Sequence, residues 1–151
     1  MSYLDHDYVS FPELTNSQLG VLQFSSPHPQ ITEDFTALVV KVHDGDTITL
    51  RTNFRDFDFP LRLLDIDAPE LSEGGSEAKK WLDSQLLGEE VQVLIDSSNR
   101  VGKYGRLLGK VLSGGLDVGE TMLHLGLVSA FGSKDEGSVP SFGKLMKEAE
   151  V

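Results

Sequence analysis

A chain of 151 residues is long enough for one packed core but not two, and 39% hydrophobic with 25% charged residues is the balance of a folded protein, not a disordered one. There is no cysteine, which excludes disulfides, thiolate metal sites and cysteine nucleophiles. The formal net charge of −11 runs against strong phosphate binding, which draws much of its affinity from Lys and Arg.

That charge is unevenly spread. Residues 1–36 hold Asp5, Asp7, Glu13, Glu33 and Asp34 and no Lys or Arg, so they carry −5 of the total and leave −6 for the rest. Metal bound among carboxylates would cancel part of the remainder locally. Tyr3, Tyr8, Phe11, Leu19, Val21, Leu22, Phe24 and Phe35 alternate with turn formers, including Ser25 to Pro29, and no helical or strand period persists. The expectation is an N-terminal extended arm, residues 1–36, too apolar for a solvated tail. It docks on the domain that follows or on a protein partner, another chain of an assembly included. His6 and His28 read as incidental polar residues. Residues 1–31 show neither a basic leader nor an unbroken apolar run, and nothing approaches a membrane span of about 18 apolar residues. A soluble protein with no membrane association is expected, inside the cell or in a larger particle rather than secreted.

From Ala37 the pattern sharpens. Leu38 to Val42 is apolar and β-branched, Asp44-Gly45 supplies a turn, and Thr47 to Leu50 alternates as a returning strand. Phe54, Phe57 and Phe59 read as core and rim packing before a third strand, Leu61 to Ile66. Its alternation puts Leu61, Leu63, Asp65 and Asp67 on one side and Arg62, Leu64 and Ile66 on the other, and Pro69 stops it. A strand with charge at both ends of an apolar middle delivers charged groups to a mouth. Ser76 suits the N-cap of a helix through Leu87, with Ala78, Trp81, Leu82, Gln85 and Leu86 at helical spacing and Gly88 as the stop. Val91 to Ile95 and Arg106 to Leu112 read as two more strands. Asp117 to Leu125 reads as a short helix with His124 at its C-terminal end, and Ser138 to Val151 as a last one. Three strands, a helix, two strands and then helices is the order of a five-stranded OB-fold barrel, α+β but mainly β, with about three helices. Pattern alone leaves α+β sandwiches open. The domain is expected to span residues 37–151.

Two carboxylates, Asp46 and Asp67, can meet at one end of such a barrel. With a backbone carbonyl and waters they would suit a hard divalent cation, the alternative being plain turn and strand-end carboxylates. Arg62 and Arg106 offer planar, permanently charged donors of the kind that pair with an oxyanion.

Three motifs in sequence, Asp44-Gly45-Asp46-Thr47, then Arg62-Leu-Leu-Asp-Ile-Asp-Ala-Pro-Glu70, then Lys103-Tyr104-Gly105-Arg106, resemble the staphylococcal nuclease (thermonuclease) family over residues 37–150. The resemblance implies the same OB fold. It also implies Ca²⁺ held by Asp46, Asp67 and the carbonyl of Ala68, where the family usually has Thr. Arg62 and Arg106 would be the phosphate-binding arginines, and Glu70 the carboxylate that orients or deprotonates water. Lys103 and Tyr104 would contact the terminal phosphate of a bound nucleotide, and Phe131 stands near the place where the family stacks tyrosines on a base, a task needing only a π face. The implied activity is a calcium-dependent endonuclease on DNA and also RNA, single strands favoured, with little sequence preference and leaving 3′-phosphates. The competing class is an interaction module, a nuclease-like barrel binding protein or nucleic acid within a larger assembly without turnover. Leu71 to Glu77 is acidic where some members carry a basic loop, which weakens electrostatic capture of nucleic acid.

Overall fold

The computed structural model describes residues 8, 12–22, 26–70, 75–102 and 106–131. Helix α1, Asn16–Leu22, precedes strand β1, Phe35–Val42. In β1 Ala37 and Val39 point inward, and a register shift between Val39 and Lys41 inserts one residue, so that Val42 is buried as well. The chain turns at Asp44 to Asp46 into β2, Thr47–Arg51, and continues into β3, Phe59–Leu63, each antiparallel to the strand before it. The expected third strand does not run through to Ile66. It breaks at Leu64-Asp65, where Asp65 takes a left-handed φ of 68°, and resumes as β4, Ile66–Asp67. The break turns the chain over, so Asp65 is exposed while Asp67 is buried, and the single-face alternation of Leu61, Leu63, Asp65 and Asp67 does not hold.

Helix α2, Gly75–Leu86, buries Ala78, Leu82 and Leu86 at four-residue spacing and leaves Gln85 exposed. It ends near Gly88, whose φ of 81° suits glycine. Strand β5, Glu90–Leu94, pairs with β1, and β6, Leu107–Ser113, pairs with β5 and, in parallel, with β3. The ring β3-β2-β1-β5-β6 is thereby closed, the five-stranded barrel of the OB type. Two-residue strands β7, Leu116–Asp117, and β8, Ser129–Ala130, pair antiparallel with β6 and β4 respectively. Helix α3, Val118–His124, is capped by Asp117, whose side chain accepts the Glu120 N–H at 3.1 Å. Val39, Ile48, Leu50, Phe59, Leu61, Leu63, Val93, Leu107 and Val111 fill the barrel, and α2 and α3 add Leu82 and Met122 to the same core.

The N-terminal segment departs from the extended arm expected. Thr15 Oγ accepts the Gln18 N–H at 3.3 Å while Gln18 Oε1 accepts the Thr15 N–H at 2.9 Å, a reciprocal capping box that starts α1. Leu14 is fully buried. The buried Glu13 carboxylate stands between two buried guanidinium groups, 2.7 Å from Arg55 Nη1 and 3.4 Å from Arg100 Nη2. The closer contact is not aligned as a hydrogen bond, so it acts as charge pairing. Arg55 lies 4.7 Å and 5.0 Å from the Phe59 and Phe57 rings and donates to the Pro29 carbonyl at 2.8 Å. Arg100 donates to the Ile31 carbonyl from Nε at 2.8 Å and to the Leu14 carbonyl from Nη1 at 2.9 Å. Tyr3, Phe11, Phe24 and the helix expected over 138–151 lie outside the described residues.

Candidate active site

The hairpin turn, the end of β3 and β4 converge at one mouth of the barrel. Asp46 is fixed there by its neighbours. Its carbonyl accepts the Leu63 N–H at 2.8 Å, its own N–H donates to Asp44 Oδ1 at 3.0 Å, and its carboxylate accepts the Ala68 N–H at 3.0 Å and the Thr47 hydroxyl at 3.1 Å. Burial alone would raise the Asp46 pKa, but the Ala68 N–H, Asp44, Arg62 and Thr47 together hold it below the ordinary carboxylate value. Asp44 is pushed the other way, by burial first and then by the adjacent Asp46.

Arg62 joins the two carboxylates. Its Nη2 lies 2.6 Å from Asp67 Oδ1 and 3.4 Å from Asp46 Oδ2, while Nη1 donates to the Leu63 carbonyl at 2.8 Å. The chain reversal at Asp65 is what brings Asp67 to Arg62, since uninterrupted alternation would have sent them to opposite faces. Oxygens of both carboxylates therefore already share one cationic centre, the Arg62 guanidinium, and carboxylate oxygens are the donor type that a hard divalent cation takes. Among the described residues no group of three or more His, Asp or Glu is placed to hold a metal.

On its other side Arg62 borders a groove of about 380 Å³ lined by Arg106, Phe131, Leu64, Asp65, Asn99, Gly102 and Leu108. Arg106 is exposed, with a marginal contact of 3.5 Å from Nη1 to the Thr47 hydroxyl. It stands one residue before β6, not inside the strand as expected. Phe131 is 64% exposed, its N–H donates to the Asp65 carbonyl at 2.9 Å, and its ring lies 5.5 Å from the Arg62 guanidinium carbon. Six of the residues singled out in the sequence, Asp46, Arg62, Asp67, Ala68, Arg106 and Phe131, are thus gathered around one arginine and one groove. Glu70 is exposed on the segment leading to α2, its carbonyl accepting the Gly75 N–H at 2.9 Å, and it does not line the groove. Lys103 and Tyr104 lie outside the described residues. Asp44, Asn99, Gly102 and Leu108 were not singled out for the site; only Asp44 carries a signal, as the first carboxylate of an Asp-x-Asp turn.

The described residues thus form a closed five-stranded OB barrel with a carboxylate pair and two arginines at one mouth. A family model described as staphylococcal nuclease homologue matches residues 60–150. The chain belongs to that family. It is 42% identical over 79 residues to a micrococcal nuclease of Shigella flexneri, covering 52% of this chain and 42% of that protein. It is 31% identical over 127 residues to an uncharacterised protein of Bacillus anthracis, covering 80% of this chain and 54% of the other. The chain thus spans about half the length of the curated relatives it matches.

Proposed function

We propose that this chain hydrolyses phosphodiester bonds of DNA and RNA, single strands favoured, with Ca²⁺ held at Asp46, Asp67 and the carbonyl of Ala68. The observation that carries the reading is the double position of Arg62, against Asp46 and Asp67 on one side and on the groove with Arg106 and Phe131 on the other. Arg62 and Arg106 donate to the nonbridging oxygens of a phosphate in that groove. Glu70 orients or deprotonates the attacking water. The exposed face of Phe131 stacks on a base next to that phosphate, and Lys103 and Tyr104 hold a neighbouring one. The cation, when bound, supplies charge that neutralises the substrate phosphate. The name of the Shigella flexneri relative supports the reaction class.

The net charge of −11 favours a second reading, a barrel that binds protein or nucleic acid without turnover. One experiment separates the two. Purified protein is incubated with single- and double-stranded DNA, with Ca²⁺ and with chelator. Cleavage in Ca²⁺ alone supports the nuclease; binding without cleavage in both conditions supports the module.

A further inference from the structure

One wall of the groove is the loop after β5, and the N-terminal segment holds that loop from behind. Asn99 and Gly102 face the groove, and Arg100 between them turns its side chain away into the protein. There Arg100 meets Glu13 at 3.4 Å, the carbonyls of Leu14 and Ile31, and Asn16 Oδ1 at 3.1 Å. Asn16 also donates from Nδ2 to the Ser97 carbonyl at 2.9 Å, and Asp34 Oδ1 accepts the Ile95 N–H at 2.7 Å. The Arg100 carbonyl accepts the Leu108 N–H at 2.8 Å, which ties the same residue to β6 beside the groove. Packing alone would not call for this arrangement. An apolar side chain would fill the space behind the loop without desolvating a cation, whereas a buried Arg with directional partners admits one loop position and disfavours others.

We propose that Glu13 and Asn16 are positioning residues for substrate binding, acting through Arg100 and Ser97 on the loop that carries Asn99 and Gly102. This rests on the nuclease reading of the groove. The N-terminal segment then belongs to the working parts of the site although none of it lines the groove.

The test uses the full chain with Asn16→Ala, Glu13→Gln and Glu13→Asp. Hydrogen exchange is read at the amides of Asn99 and Gly102, which donate at 2.9 Å to the carbonyls of Asp96 and Arg106, and cleavage of a single-stranded oligodeoxynucleotide is followed in Ca²⁺. In Asn16→Ala and Glu13→Gln, exchange at these two amides accelerates by about tenfold while β1 and β2 amides are unchanged. KM rises by about tenfold with kcat within about twofold, and Glu13→Asp restores part of the loss. Asn16 is exposed, so its variant folds even where Glu13→Gln does not. Unchanged exchange overturns the proposal, and so does faster exchange with unchanged KM, or a fall in kcat at constant KM. A wild type that neither binds nor cleaves the oligonucleotide defeats the nuclease reading separately. Exchange at Asn99 and Gly102 then decides by itself whether the N-terminal segment holds this loop.

Discussion

Asp46 receives hydrogen bonds from Ala68 and Thr47 and shares Arg62 with Asp67, so the carboxylate pair is set by the fold before any ligand arrives. Asp46→Asn or Asp67→Asn keeps the shape and removes one charge. Calorimetry should show weaker Ca²⁺ binding in both variants with the barrel still folded; unchanged affinity in both would remove them as ligands. Among the described residues Arg106 makes only the marginal contact to Thr47, so Arg106→Ala should leave thermal stability within about 0.5 kcal/mol of the parent. Its turnover should fall by about 10²-fold or more, as should that of Glu70→Gln, the scale of losing one transition-state donor or acid-base group. Cleavage kinetics at saturating substrate check this. Asp46, Arg62 and Asp67 were legible through the motifs Asp44 to Thr47 and Arg62 to Glu70 and the family these resemble, the residues alone leaving plain turn and strand-end carboxylates open. That Asp46 and Asp67 meet at one end of the barrel was expected, but the place of Arg62 between them was not, because it depends on the left-handed turn at Asp65, and apolar alternation carries no information about the sign of φ at a polar residue.

At the level of elements, the hairpin turn is seated closely on α2. A Cβ on Gly45 would come within 2.6 Å of Ala78 Cβ and 2.7 Å of Ala68 Cβ, neither of which can rotate aside. Gly45→Ala should therefore destabilise the protein by about 1–3 kcal/mol in urea unfolding, and should weaken Ca²⁺ binding because the turn carries Asp46. Ala78 was read from the sequence as a core position, but its pairing with Gly45 is long-range and left no local trace. Helix α1 shows the opposite case. Its Thr-x-x-Gln start was present at Thr15 and Gln18, but seven residues give too few turns for an apolar period to register. His28 packs 4.9 Å from Phe57, with its Nε2 buried and without a hydrogen-bond partner among the described residues. Burial, chiefly, lowers its pKa below 6.5. The neutral form is the one the fold accepts, so its contribution to stability is complete above about pH 6.5 and is lost as pH falls through that value towards the lower folded pKa. Urea midpoints measured between pH 7 and 5 should decline, and His28→Gln should flatten that decline.

Across the whole molecule, family and barrel agree, and among the described residues no helix is long and apolar enough to cross a membrane. The order of strands and helices was legible because each strand carries its own apolar period. Docking of the N-terminal segment on the barrel was one of the two outcomes expected, but the buried charges that hold it were not legible, since Glu13, Arg55 and Arg100 each look like ordinary surface charge until the fold brings them together. We expect deletion of residues 1–34 to lower the thermal midpoint, because it strands two buried guanidinium groups; an unchanged midpoint would make the segment an accessory. The barrel closes along the parallel seam between β3 and β6, held by three residue pairs beginning Leu61 with Leu107. Parallel pairing between distant segments is slow to form and slightly weaker per residue. Arg62 lies on one lip of this seam and Arg106 directly before the other, so the two come together only when the ring shuts. We expect the seam to form late in folding and to open early in denaturant. Gly109, where a Cβ would meet Val93 at 2.8 Å, sits on it, and Gly109→Ala should quicken unfolding more than it slows refolding in stopped-flow traces. Catalysis should accordingly disappear at a lower urea concentration than the fluorescence change of Trp81, the single tryptophan, which reports from α2 away from the seam.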